Sequence, residues 1–126
     1  MAIKKVSVIV PMHNGERFIS RCIESILNQS YKKIELIIVD DNSTDASYKI
    51  IEKYINTYPC IKYLRNDTCR GPAISRNLGL KHASSDYVLF LDCDDWLDLN
   101  CIEKAVNKFE SDSNIDIVLW LSLIHI

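Results

Sequence analysis

Short β-branched runs alternate with segments of helical period along this chain, and that alternation limits its fold more than any other feature. Val6 to Val10 (VSVIV) reads as a strand buried on both faces and closed by Pro11. From Glu16 to Gln29 the apolar residues Phe18, Ile19, Cys22, Ile23, Ile26 and Leu27 recur at helical spacing. Ile34 to Val39 is a second strand, after which Ser43 or Thr44 can cap a helix running to Tyr54. Ile61 to Leu64 is a third strand, and Pro72 opens a helix to His82. Tyr87 to Leu91, Leu99 to Phe109 and Ile115 to Trp120 continue the series as strand, helix and strand, with Asp98 as the cap of the last helix. Strands separated by helices predict an α/β fold, with a mostly parallel sheet covered by helices on both faces.

A chain of 126 residues is one domain at most. Its net charge of −2 gives no footprint for nucleic acid. No apolar run approaches the roughly 18–20 residues of a membrane span, and the opening VSVIV is shorter than the roughly 7–15 residues of a secretory core. Cys22, Cys60, Cys69, Cys93 and Cys101 form no CxxC pair and read as packing residues of a reducing compartment. The C-terminal LSLIHI follows the last strand with no turn, and one coding of it resembles a transposon-end adaptor. Residues 121–126 are therefore expected to be a non-native tail, and 1–120 the native part.

In parallel α/β sheets ligands bind beyond the carboxyl ends of the strands, and here those ends are polar. The first delivers Pro11, His13 and Asn14, the second Asp40, Asp41 and Asn42, and the fourth Asp92, Asp94 and Asp95. One aspartate after a strand is ordinary turn or cap chemistry. Three within four positions call for a cation, and carboxylate oxygens suit Mg2+ or Mn2+ completed by substrate phosphates. There is no GxGxxG and no Walker-type loop. A diphosphate would thus be held by a metal and by basic groups, with Arg70 and Arg76 the nearest.

VSVIVPMHNGERFISRCIESILNQSYKKIELIIVDDNSTD resembles the opening of family 2 glycosyltransferases of the GT-A fold, and GPAISRNLGLKHASSDYVLFLDCDDWLD resembles that family's second block, ending in its DXD signature. The likeness runs from Lys5 to Trp120. It implies an incomplete GT-A, Rossmann-like domain: the donor-binding half of an inverting enzyme that moves a sugar from a nucleoside diphosphate, UDP by preference, to an acceptor hydroxyl. Pro11, His13 and Asn14 then border the base, with His13 where the family often has Tyr, and Glu16 lies near the nucleotide. Asp41 accepts from the base N–H. Arg76 and Asn77 match an ARN element in which Ser75 replaces Ala. The DXD carboxylates contact ribose and the metal bound to the diphosphate, Asp94 and Asp95 standing nearest the metal and ribose with Asp92 in support. The general base and the acceptor site fall in the family's second half. The acceptor is a saccharide or a lipid-linked glycan, which implies a cytoplasmic enzyme or one held at the inner face of the membrane. The alternatives are a non-catalytic nucleotide-binding fragment and a phosphatase resembling haloacid dehalogenases, with Asp92 as nucleophile. The latter family expects Thr or Val where Trp96 stands.

Overall fold

The computed structural model describes residues 3–115. Residues 116–126, which hold nearly all of the expected fifth strand and the expected tail, lie outside them. Within this span the order is β1 (Val6–Met12), α1 (Ile19–Leu27), β2 (Ile34–Asp40), α2 (Ser47–Thr57), β3 (Ile61–Arg65), α3 (Pro72–His82), β4 (Tyr87–Phe90) and α4 (Cys101–Ser111). The four strands pair in parallel in the order β3-β2-β1-β4. The chain steps outward from β1 to β3 and then returns to the opposite side of β1. That reversal opens a crevice beyond the carboxyl ends of β1 and β4.

Alternation along β1 sorts the core into two layers. Val6, Val8, Val10 and Met12 pack with Ile19, Cys22, Ile23 and Ile26 of α1 and with Ile102 and Val106 of α4. Ile9 joins Ile37 and Val39 on the other face, against Leu78 of α3. A β carbon on Gly79 would lie 2.5 Å from Ile9 Cγ2, so α3 reaches the sheet only because that position is bare. Glu35 is buried near the start of β2, where Ser7 Oγ donates to it at 2.7 Å and Lys62 Nζ pairs with it at 2.5 Å.

Several boundaries differ from the sequence expectation. Pro11 does not close β1; it lies within it, opposite Val39. The Ile9 carbonyl accepts from Leu91 N on the β4 side, and the Met12 carbonyl accepts from Asp41 N on the β2 side. Alternate residues of β1 thus face opposite neighbours, and Pro11 faces β4 just past the last paired residue, Phe90. The missing N–H costs no ladder bond there. α1 begins at Ile19 rather than Glu16, because the Gly15 carbonyl accepts from both Phe18 N and Ile19 N in a preceding turn. α2 begins at Ser47, and neither Ser43 nor Thr44 caps it; Asp45 Oδ1 accepts from Ser47 N at 2.9 Å.

Asp98 does not hold the N-cap of α4 either. Asn100 occupies that place without a side-chain cap bond. The helix start is met from outside, by the buried Gln29. Its Oε1 accepts from Ile102 N at 3.0 Å, while its Nε2 donates to the Ser25 and Asp98 carbonyls at 3.1 and 2.6 Å.

Candidate functional site

Beyond β1 the chain turns through His13 and Asn14 and is tied to the loop after β2. Asn14 takes a left-handed backbone (φ 52°), which asparagine tolerates better than most residues. Its N–H donates to Ser43 Oγ at 2.8 Å, and its Oδ1 accepts from Thr44 N at 2.8 Å. Gly15 N donates to Ser47 Oγ at 2.9 Å. His13 Nδ1 lies 2.8 Å from the Asp41 carbonyl; a carbonyl only accepts, so Nδ1 carries the proton and Nε2 the lone pair.

Asp40 ends β2 and Asp41 follows it, and the two have different tasks. Asp40 is fully buried, accepting from Ser43 N at 2.9 Å, from Tyr63 Oη at 2.5 Å and from Arg65 Nη1 at 2.9 Å. Burial and that bond push the Tyr63 phenol up to about 12. Asp41 organises the segment that enters α3. Its Oδ1 accepts from Asn66 Nδ2 and Arg70 N, both at 2.8 Å. Its Oδ2 accepts from Gly71 N at 2.8 Å and from the Cys69 thiol at 3.3 Å. Burial alone would raise this carboxyl, but the donors outweigh it and hold its pKa at about 2. Gly71 has φ 94°, a left-handed backbone that suits glycine and aims its N–H at the carboxylate.

The third wall is the segment after β4. Asp95 N donates to the Asp92 carbonyl at 3.0 Å, closing a turn. Carboxylate oxygens of Asp92, Asp94 and Asp95 lie within 4.8 Å of one another. Such hard, anionic oxygens on a rim fit Mg2+ or Mn2+, which take oxygen ligands and complete their shell with water or phosphate. Arg76 Nη2 stands 3.6 Å from Asp92 Oδ1. Cys93, between the carboxylates, points inward, and burial followed by the Asp94 charge pushes its thiol up to about 11. Trp96 carries the Arg21 guanidinium over its ring at 3.3 Å.

These three walls enclose a cavity of about 390 Å³. Of the residues named from the sequence, Pro11, His13, Asn14, Asp41, Asp92 and Asp94 line it. Asp95 joins the edge through the carboxylate cluster, and Arg76 through Asp92. Glu16 is exposed and is not among the lining residues; its backbone N–H donates to Asp45 at 3.2 Å.

The structure adds residues that local sequence logic missed. Met12, Phe18, Pro72, Ser75 and Cys93 also line the cavity. The buried Ser75 Oγ accepts from Asn66 Nδ2 at 3.1 Å, so the hydroxyl in place of alanine has a partner. Cys69, read as a packing residue, is exposed and bonded to Asp41. A polar segment before a Pro-led helix was the one available signal for Asn66 and Cys69. Asp92 follows the fourth strand, at the end of the described sheet, whereas a dehalogenase-type nucleophile follows the first.

Residues 7–122 match the family described as Glycosyl transferase family 2. An uncharacterized glycosyltransferase of Haemophilus influenzae is 44% identical over 102 residues, covering 81% of this chain and 41% of that protein. The poly(ribitol-phosphate) beta-N-acetylglucosaminyltransferase TarS of Staphylococcus aureus is 35% identical over 117 residues, 91% of this chain and 20% of TarS. The structure of TarS 1-349 in complex with UDP-GlcNAc superposes with a TM-score of 0.80, covering 85% of this chain and 31% of that one. A mannosyltransferase from Pyrobaculum calidifontis, in complex with GDP-Man and Mn2+, superposes with a TM-score of 0.80 at 27% identity, covering 89% of this chain and 34% of that one. The chain thus spans between 20% and 41% of the length of these relatives.

Proposed function

This chain belongs to glycosyl transferase family 2, and from that premise we propose that it forms the donor-binding part of an enzyme that transfers a sugar from UDP to an acceptor hydroxyl with inversion. The observation that carries the reading is the single cavity joining the Asp41 wall to the carboxylates Asp92 and Asp94. Its two ends differ in chemistry as the two ends of a nucleoside diphosphate do. The wall of Pro11, Met12 and His13 offers a ring and apolar surface for a flat base. Asp41 meets the base N–H by exchanging its weakest donor, the Cys69 thiol. Asp92 would receive the ribose hydroxyls and, with Asp94 and Asp95, would hold a divalent cation. Arg76 adds positive charge beside Asp92.

When bound, that cation neutralises the charge gathering on the leaving diphosphate. The residues of this chain would orient the donor, with its diphosphate at Asp94 and Asp95, the carboxylates that would hold the cation. The UDP-GlcNAc complex of TarS supports the choice of base, and the Mn2+ in the mannosyltransferase structure supports the choice of metal. The acceptor is proposed to be a saccharide or a lipid-linked glycan, met in the cytoplasm or at the inner face of the membrane.

Titration calorimetry of the 126-residue chain with UDP tests the reading. Binding is expected in Mn2+ and lost in chelator, and Asp94→Asn with Asp95→Asn should weaken the Mn2+-dependent part by about tenfold or more. UDP binding that ignores both the metal and these carboxylates, or no binding at all, would sink the proposal.

A further inference from the structure

A second set of metal-binding atoms lies at the Asp41 wall of the cavity. A ring nitrogen of His13, a carboxylate oxygen of Asp41 and Sγ of Cys69 lie within 4.8 Å of one another. This is a nitrogen, oxygen and sulfur set, unlike the all-oxygen cluster of Asp92, Asp94 and Asp95. Thiolate and imidazole favour borderline or soft cations over Mg2+ or Mn2+.

We propose that His13, Asp41 and Cys69 form a site for Zn2+, with the fourth position open. Three observations carry it beyond proximity. The Cys69 Sγ to Asp41 Oδ2 separation is 3.3 Å, already the ~3.3–3.8 Å edge of a tetrahedron whose bonds are about 2.0–2.3 Å. The His13 ring is oriented by donating its Nδ1 proton to the Asp41 carbonyl at 2.8 Å. The Nε2 lone pair faces one weak donor, Asn14 Nδ2 at 3.3 Å, which a cation would displace, and a backbone carbonyl is a usual outer partner of a metal-bound histidine. Asp41 is held in place by Asn66, Arg70 N and Gly71 N, which fix one ligand before the cation arrives. His13 and Cys69 are exposed, so both have room for the small shifts that bring their ligand atoms onto one cation.

Binding releases the Cys69 thiol proton to solvent as the S–H bond gives way to an S–Zn bond. The cation then takes the face of Asp41 offered to a base N–H. Zn2+ would therefore oppose the nucleotide while Mn2+ assists it.

Cobalt serves as the optical probe. The 126-residue chain titrated with Co2+ should develop a thiolate-to-cobalt charge-transfer absorption, bleached by Zn2+. Cys69→Ser should abolish the band, and His13→Ala should weaken Co2+ affinity by about tenfold or more, since even an outer partner is worth that much. Asp94→Asn with Asp95→Asn should leave the band in place. Absence of the band in the parent chain, its survival in Cys69→Ser, or its loss in the double carboxylate variant would each overturn the proposal. Circular dichroism of the variants confirms that they fold. No readout involves a nucleotide, so failure here is distinguishable from failure of UDP to bind.

Discussion

The Asp41 carboxyl ties folding to proton concentration at the site itself. Its pKa is about 2 in the fold against an ordinary 3.8, so its charged form favours the folded state. That contribution is fully present above pH 3.8 and is lost as the pH falls toward 2. Asp41→Asn is expected to lower stability by about 1–3 kcal/mol at neutral pH, because an amide cannot accept four donors. The difference between the two proteins in urea melts should shrink through the acid window; a difference that stays constant from pH 6 to pH 2 would refute the assignment. Asp41 was legible in the sequence as a polar residue at the end of a strand. Its donors were not, because Asn66, Arg70 and Gly71 lie 25, 29 and 30 residues away and only the closed sheet brings them together. Cys69 was misread for the same reason: nothing beside it in the chain marks a thiol as a partner of Asp41.

Among the elements, α3 was read to the residue, since Gly71 and Pro72 punctuate its start within one turn. α4 was not. Local reasoning gives its cap to Asp98, the acidic residue just before the apolar run, but Gln29 at the end of α1 supplies the acceptor instead. A glutamine at the end of a helix carries no sign that it serves another helix 73 residues on. Gln29→Ala should cost about 1–3 kcal/mol, since it orphans the buried Ile102 N and removes a donor from the Ser25 and Asp98 carbonyls. Amide hydrogen exchange should locate the loss in the first turn of α4. Uniform destabilisation with unchanged exchange at Ile102 would show that the bond does not anchor the helix.

For the whole molecule, the alternation of strands and helices fixed the α/β class, and the resemblance placed the DXD segment at the rim. Strand order was beyond periodicity, because any of several parallel arrangements bury the same apolar runs. The order β3-β2-β1-β4 makes the ends of β1 and β4 neighbours across the reversal, so one ligand can touch loops separated by most of the chain. Such a ligand should stabilise the entire domain. UDP with Mn2+ at a hundred times its Kd adds about 2.7 kcal/mol by mass action, and about 1 kcal/mol moves the Tm of a domain this size by roughly 2–8 °C. Differential scanning fluorimetry should register the rise, and an unchanged Tm at saturation would mean the loops do not share the ligand. The bonds from Asn14 to Ser43 and Thr44 and from Gly15 to Ser47 carry a different lesson, one for recombination between relatives. The two loops make one hereditary unit. A chimera that exchanges residues 12–16 without residues 40–47 inherits half a clasp, so nucleotide preference should travel between family members only when both segments are transplanted together.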